Sequence, residues 1–235
     1  MELTLAEQLL LLALDDAKGT ESTRMSIDGG LAAALIMDLT CRGVLTVDEF
    51  DDFAVEEVAP GLPEPLERAA RVIQVAKTRR GAAVWLMRLP RELKPIKGQV
   101  AAPLVARGVL SEQRTRVLGL VPRTRYPEAN PAYERKLREG LRATLLGQRE
   151  PTEDETLLMP LLHSYGIVEQ LVPQDARKQA KARAAEVAAR GPVSAAMTAS
   201  VASAQAAALA LTLASSHAGM IGDAGGGGGD GGGGG

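Results

Sequence analysis

LTLAEQLLLLALDD, residues 3–16, is the stretch that decides the fold class. Thr4 and Glu7 stand at the spacing of a capping box, in which each side chain accepts a hydrogen bond from the other residue's backbone N–H. The leucines that follow cover a wide helical face, and Gly19 supplies a break after them. The stretch is too short to span a bilayer, so it predicts a capped helix in the protein core.

Comparable signals recur along the chain and predict a mainly α-helical protein. Apolar residues at helical spacing, opened by proline or closed by glycine, mark further helices. These helices are expected at about residues 28–42, 66–80, 96–107, 131–145, 157–165, 175–190 and 194–216. Aromatic residues make up only 3% of the chain while alanine and leucine are abundant, which favours helix over strand.

The segments between these helices are predicted as short strands, turns and connections. Residues 44–47 are a candidate strand, and residues 85–90, which end in proline, are expected to lead into the helix at 96–107. Residues 117–127 combine turn signals with β-branched residues, as in a hairpin or an irregular loop. The lone Cys41 rules out a disulfide framework and is expected to pack in the core, because it lies on an apolar helix face.

Composition divides the chain into one domain and a tail. Twelve of the 25 glycines lie after residue 218, and such a tail cannot bury enough apolar surface to become ordered. Residues 193–216 carry no charge, but alanine, serine and threonine dominate them, which favours a buried bundle helix over a membrane span. We therefore expect a single-domain helical bundle with a small β-hairpin at residues 1–217 and a disordered tail at residues 218–235.

Opposite charges are segregated along the chain, although the formal net charge is only -2. Residues 1–63 carry a net charge of -10, residues 64–149 a net charge of +12, and residues 150–235 a net charge of -4. A basic centre points to an anionic partner, such as a phosphate head group or nucleic acid, or to the acidic N-terminal part of the same chain. The acidic N-terminus also lacks the basic start of an export signal, which indicates a cytoplasmic protein.

The sequence offers no motif for catalysis, nucleotide binding or metal binding. No Walker loop or G-x-G-x-x-G follows a strand, and no nucleophile elbow is present. His163 and His217 are far apart and form no metal-ligand pair, and the acidic run at residues 48–57 lacks the glycine of a calcium loop. We therefore expect no cofactor, no metal and no enzymatic activity.

The basic centre contains one dense cluster of cations. Six fall within nineteen residues: Arg79, Arg80, Arg88, Arg91, Lys94 and Lys97. Trp85 is the one aromatic residue among them, whereas single-stranded nucleic acid needs several stacking aromatics and duplex recognition needs a motif such as helix-turn-helix. Because two or three converging cations suffice for an anionic lipid head group, the cluster favours a lipid over a nucleic acid.

Four segments give the chain a family pattern. They are residues 3–16, residues 30–45, LVARGVL at residues 104–110, and LLMPLLH at residues 157–163. In their order and spacing the chain resembles the Golgi phosphoprotein 3 family, in particular its shorter bacterial members of actinomycete type. The resemblance implies a helical bundle with a β-hairpin at residues 117–126. Eukaryotic members are cytosolic peripheral membrane proteins that bind phosphatidylinositol 4-phosphate and adapt Golgi enzymes to vesicle coats.

The resemblance also implies a head-group site, which in the family uses a tryptophan and an arginine near the second helix and two later arginines. The tryptophan position falls at Thr23 and the first arginine position at Ala32. The later positions fall at Lys94 and Lys97, three residues apart, and Arg24 is a candidate replacement for the lost tryptophan. Lysine keeps the charge of arginine but lacks the planar fork that binds phosphate bidentately, which favours general anion attraction over a specific phosphoinositide.

The sequence thus predicts a protein at the inner face of a membrane that binds an anionic phospholipid head group, phosphatidylinositol 4-phosphate or a similar one. An adaptor role with a protein client, and contacts between copies of the chain through residues 117–126, fit the same pattern. Two other functions stay open at this point. One is a soluble protein–protein scaffold whose opposite charges pair internally, and the other is a small-molecule enzyme.

Leu9 and Leu35 lie on the apolar faces of the first two predicted helices and are expected in the core. Replacing either with alanine should lower the free energy of unfolding by roughly 2–5 kcal/mol, because the change leaves a cavity. Urea denaturation measures this difference. A loss below about 0.5 kcal/mol, which is typical of surface positions, would show that the two helices are misplaced.

Overall fold

The predicted mainly α fold is confirmed by the structure, a computed structural model that describes residues 2–23, 26–50, 52–58, 60–117 and 121–190. These residues form nine α-helices: α1 (Leu5–Ala13), α2 (Asp28–Cys41), α3 (Glu64–Gln74), α4 (Ala82–Glu92), α5 (Ile96–Ala106), α6 (Pro131–Leu145), α7 (Glu153–Ser164), α8 (Val168–Leu171) and α9 (Arg177–Ala189). The predicted helix at residues 194–216 and the glycine tail at residues 218–235 lie outside the described residues.

Two small antiparallel sheets accompany the helices in the described part of the chain. The first has three strands in the order β1-β2-β3, which are β1 (Thr46–Val47), β2 (Asp52–Ala54) and β3 (Arg80–Gly81). The second is a hairpin of β4 (Gln113–Val117) and β5 (Val121–Arg125). The first sheet precedes α4 directly, and the hairpin lies between α5 and α6 in the chain.

The core is built around α1 and α2, which lie side by side and are buried along nearly their whole length. Every residue of α1 is buried, and α2 is buried from Gly30 to Thr40. α1 also contacts α5, α6 and α7, while α2 also contacts α3, α4 and α5. Leu9 and Leu35 are fully buried in this core, as predicted.

The helix start predicted from the pair Thr4 and Glu7 is present. Thr4 accepts a hydrogen bond from the Glu7 N–H, and the Glu7 carboxylate accepts one from the Thr4 N–H at 3.0 Å. Thr152 and Glu155 form the same reciprocal pair before α7. α6 begins at Pro131, as predicted. These starts depend on residues three or fewer positions apart, so the sequence contains the whole signal.

α3 ends earlier than the sequence predicts. The expected helix ran to residue 80, but α3 ends at Gln74, because Arg80 and Gly81 form β3 and pair with Phe53 and Asp52 of β2. This pairing buries Phe53, and it joins residues almost thirty positions apart. A long-range ladder of this kind outweighs the local helix signal.

Residues 85–90 belong to α4 and are not the connection that was expected. Ala82, Trp85, Leu86 and Leu89 recur at helical spacing and are all buried. Pro90 lies in the last turn of the helix, where the apolar packing of the preceding turns holds α4 together despite the missing N–H.

The predicted start of the hairpin and the predicted burial of Cys41 also differ from the structure. Val117 and residues 121–125 do belong to a β-hairpin, but β4 begins four residues earlier than expected, since Gln113 pairs with Arg125 at its base. Cys41 was expected in the core and is instead exposed, because it is the last residue of α2 and lies beyond the buried part of that helix.

Asp38 of α2 should make the stability of the protein depend on pH. Its carboxylate accepts the Ala6 N–H at 3.3 Å, and burial raises the pKa of Asp38 to about 7. Since the folded chain binds this proton more tightly than the unfolded chain, the contribution of Asp38 to stability is full below about pH 4 and is lost as the pH rises through 7. An asparagine side chain cannot ionise, so Asp38→Asn should gain stability relative to the wild type over that range.

The gain should be on the order of a few kcal/mol by about pH 8, since one pKa unit corresponds to about 1.4 kcal/mol. Urea denaturation of both proteins at several pH values measures it. Glu134, whose pKa burial also raises to about 7, affects both proteins equally and cancels in the difference. Glu57→Gln at an exposed position is the control and should follow the wild type. A difference between Asp38→Asn and wild type that stays constant with pH would contradict the assignment.

Candidate functional site

The predicted lysines lie in an open cleft of about 730 Å³ beside the start of α5. Three segments form it: the turn before α2, the end of α4, and the junction between α4 and α5. We call it the basic cleft, and it is lined by Glu21, Ser26, Asp28, Pro90, Arg91, Lys94, Pro95, Ile96 and Lys97. Lys94 and Lys97 are therefore brought together.

The first turn of α5 supplies backbone donors to the basic cleft. Pro95 is the N-cap, and no described side chain caps this helix end. The first N–H groups of an uncapped helix have no partner within the helix, and the helix dipole makes this end favourable for an anion. α5 has eleven residues, so Lys97 stands in the first turn of a full helix while Lys94 stands just before it.

The cations of the basic cleft differ in how far the fold already neutralises them. Lys97 forms an ion pair with Glu21, and both side chains are partly buried. Glu21 also accepts the Ile27 N–H at 3.3 Å, which fixes its carboxylate in the turn before α2. Arg91 and Lys94 are exposed and form no ion pair with another described residue. The cleft thus offers two free cations and one that is paired.

The described positions among the remaining ones carried over from the family do not line the basic cleft. Thr23 lies in the loop between Glu21 and α2 and does not line the basic cleft. Arg24 lies outside the described residues. Ala32 is fully buried inside α2, where it has no surface for a head group.

Arg91, Glu21 and Asp28 belong to the basic cleft but were not singled out as site residues from the sequence. Arg91 could have been found, because it stands three residues before Lys94 within the same cation cluster. Glu21 could not, since 76 positions separate it from Lys97. An acidic N-terminal part of the chain indicates that such pairing occurs but not which residues take part.

The charge segregation is partly explained by pairing inside the fold. Four ion pairs join the acidic N-terminal part to the basic centre in the described chain: Glu7–Arg107, Asp16–Arg138, Glu21–Lys97 and Asp48–Arg79. Several other exposed cations have no ion pair with any described residue: Lys77, Arg80, Arg91, Lys94, Arg123, Arg135 and Lys136. Internal pairing therefore accounts for some cations of the basic centre and leaves others without an ion pair among the described residues.

Other kinds of site are not formed by the described residues. No group of histidine, cysteine, aspartate and glutamate among them could hold a metal ion. None of the described helices has the length and apolar character needed to cross a membrane.

A comparison with known families identifies the chain. The family model described as Golgi phosphoprotein 3 (GPP34) matches residues 5–206. This range contains all the helices described above and the whole basic cleft. No curated protein matched the chain.

The pairing of Glu21 with Lys97 predicts how the basic cleft responds to a lost acid. Glu21→Gln should strengthen the binding of inorganic phosphate about tenfold at low salt, because it removes a negative charge a few ångströms from the anion and frees Lys97. Amide NMR shifts in the first turn of α5, followed during a phosphate titration, measure the affinity. Glu139→Gln removes the same charge at an exposed position of α6 and should leave the affinity for phosphate unchanged. Equal affinities for wild type and Glu21→Gln would mean that no phosphate binds beside Lys97.

Proposed function

Because the chain belongs to the Golgi phosphoprotein 3 family, we propose that it is a peripheral membrane protein that binds an anionic phospholipid head group in the basic cleft. The observation that carries the proposal is the uncapped N-terminus of α5 between Lys94 and Lys97. Unpartnered N–H groups and adjacent cations are the elements that bind a phosphate monoester. Phosphatidylinositol 4-phosphate carries such a group and is the proposed ligand, together with similar head groups.

The composition of the basic cleft indicates how selective it is. Among the described residues, Arg91 is the one guanidinium in its lining, so within that part of the chain bidentate binding of phosphate oxygens is limited to this residue. Lys94 and Lys97 act as point charges, and Glu21 and Asp28 reduce the net charge of the lining. We therefore propose that the cleft prefers a phosphate monoester over other anionic head groups by a modest factor.

The base of the hairpin contacts the first turn of α5, which borders the basic cleft. Tyr126, which follows β5, donates its N–H to Gly19 at 2.9 Å, and its hydroxyl packs against Gly98 in the first turn of α5. This contact joins the base of the hairpin to the helix turn that borders the basic cleft, and exposed Arg123 adds positive charge to the hairpin. Residues 117–126 remain a candidate contact between copies of the chain.

The wider role proposed for the protein is a non-enzymatic adaptor at the cytoplasmic face of a bacterial membrane, which links the lipid to a protein client. The competing function is a soluble scaffold that binds no lipid. The observation that favours this second function is the set of four ion pairs between the acidic N-terminal part and the basic centre. Binding to vesicles separates the two.

The double variant Lys94→Ala/Lys97→Ala tests the lipid site. Each lysine near an anionic surface contributes about 1 kcal/mol, so the loss of both should weaken vesicle binding about thirtyfold at low salt. Lys94→Ala alone should account for more of the loss than Lys97→Ala, since Lys97 is already paired with Glu21. Co-sedimentation with phosphatidylcholine vesicles, with and without phosphatidylserine or phosphatidylinositol 4-phosphate, measures the affinities. The loss should shrink as salt rises, because salt screens exposed charges.

The matched control is Lys136→Ala/Lys178→Ala, which removes two exposed lysines from α6 and α9 and changes the net charge equally. It should bind the vesicles like the wild type. If the wild type ignores all anionic vesicles at low salt, the membrane function is wrong and the scaffold is favoured. If both double variants bind equally well, the head group does not bind in the basic cleft.

A further inference from the structure

α4 exposes apolar side chains on the face that leads to the basic cleft. Among the described residues, large apolar side chains are exposed at Phe50, Val75, Val84 and Met87. Val84 is 40% exposed and Met87 is 53% exposed, and they lie one turn apart on α4. Exposed valine and methionine in neighbouring positions leave an apolar patch in contact with water.

Two arginines continue this patch along the helix. Positions 84, 87, 88 and 91 follow the spacing of a single helical face, so Val84, Met87, Arg88 and Arg91 form one row, which we call the α4 stripe. The opposite face of α4 is fixed in the core by Trp85, Leu86 and Leu89. The stripe is therefore held on a rigid helix and cannot turn inward.

The two arginines are placed differently. The Arg88 guanidinium lies 4.9 Å from the centre of the Trp85 ring and donates to Glu92 at 3.1 Å, so its side chain leans toward these two residues. Arg91 has no ion pair with a described residue and lines the basic cleft. The α4 stripe and the basic cleft are thus continuous through Arg91.

The start of α4 adds to the same edge. Asp52, the first residue of β2, pairs with Gly81, the last residue of β3, so the turn between β1 and β2 lies at the end of the sheet where α4 begins. Phe50 stands in that turn and is 77% exposed, and exposed Arg80 lies in β3. Phe50 and Arg80 therefore lie near the start of α4, together with Asp48 and Glu49 of the same turn.

We propose that the α4 stripe is a second membrane contact, which places Val84 and Met87 in the interfacial region of an anionic bilayer while Arg88 and Arg91 lie among the lipid phosphates. The inference rests on the proposed function, because it assigns the same bilayer to a surface continuous with the head-group site. Cations that flank apolar side chains suit a membrane interface, where long basic side chains extend toward the phosphates.

The size and charge of the stripe favour a bilayer over a protein client. Two half-exposed apolar side chains offer far less than the roughly 800 Å² per partner that a stable protein interface buries. Within α4, Arg88 and Arg91 outnumber the one acid, Glu92, and Arg91 forms no ion pair with a described residue. This excess of cations is complementary to anionic lipids and needs no specific partner surface.

The double variant Val84→Gln/Met87→Gln tests the proposal, since glutamine keeps the helix and removes the apolar surface. It should bind vesicles of phosphatidylcholine and phosphatidylserine about tenfold more weakly, because two apolar side chains no longer leave water. The loss should persist at high salt, unlike the loss caused by Lys94→Ala. Binding of glycerophosphoinositol 4-phosphate, a soluble head group, should be unchanged. Val75→Gln removes an apolar side chain that is 76% exposed at the end of α3 and serves as the control.

A fluorescent label provides a second, direct measurement. Cys41 is the single cysteine and is exposed, so Cys41→Ser gives a background in which Met87→Cys can carry an environment-sensitive nitrobenzoxadiazole group. The label should shift to the blue when anionic vesicles are added. The same label on Ala182→Cys, which is exposed on α9, should not shift.

The outcomes separate this inference from the function on which it rests. Vesicle binding by the wild type, together with an unshifted label at position 87 and full binding by Val84→Gln/Met87→Gln, overturns the α4 stripe and leaves the head-group site standing. A protein client on the stripe gives that same result with vesicles. If the wild type binds no vesicles, the proposed function and the stripe fail together.

Discussion

The complete burial of α1 is the constraint on which the rest of the structure depends. A helix with no exposed residue must satisfy the N–H groups of its first turn inside the protein, and each unpaired group would cost about 1–3 kcal/mol. Thr4, Glu7 and Asp38 supply the acceptors. Glu7 is itself a buried charge, and its ion pair with Arg107 makes that burial tolerable. The need to satisfy the backbone N–H groups of α1 thus positions the Glu7 carboxylate, and this carboxylate positions Arg107 at the end of α5.

The same pairing positions the basic cleft. Arg107 is the C-cap of α5, so its bond to Glu7 holds the end of that helix against the start of α1. Lys97, in the first turn of α5, is held by Glu21, which follows α1 in the chain. α5 is therefore tied at both ends to the N-terminal segment, and its open N-terminus faces solvent in a defined orientation. The segregation of charge in the sequence serves this placement, and the proposed binding of an external anion would draw on the cations that it leaves unpaired.

The sequence predicts those features that depend on neighbouring residues and fails where distant residues decide. The capping pairs Thr4–Glu7 and Thr152–Glu155 were predictable because three positions separate their members. β3 was not, since Arg80 pairs with Phe53 across a turn, a helix and a loop. At the basic cleft the spacing of Lys94 and Lys97 was visible in the sequence, and the family match over residues 5–206 supports the resemblance behind it. The Glu21 partner and the burial of Ala32 required the fold.

A protein with a net charge of -2 can still bind an anionic surface, because the electrostatic attraction depends on the charges near that surface and not on the sum of all charges in the protein. At physiological ionic strength the Debye length is about 8 Å, so charges farther than this from the lipid contribute little. Carboxylates that are paired in the fold, such as Glu7 and Asp48, are also neutralised locally. The attraction then depends on the cations that approach the bilayer unpaired, and Arg91 and Lys94 are held together at one edge by α4 and the start of α5. If the proposed function holds, the distribution of paired and unpaired residues, and not the net charge, determines which side of the protein meets the membrane.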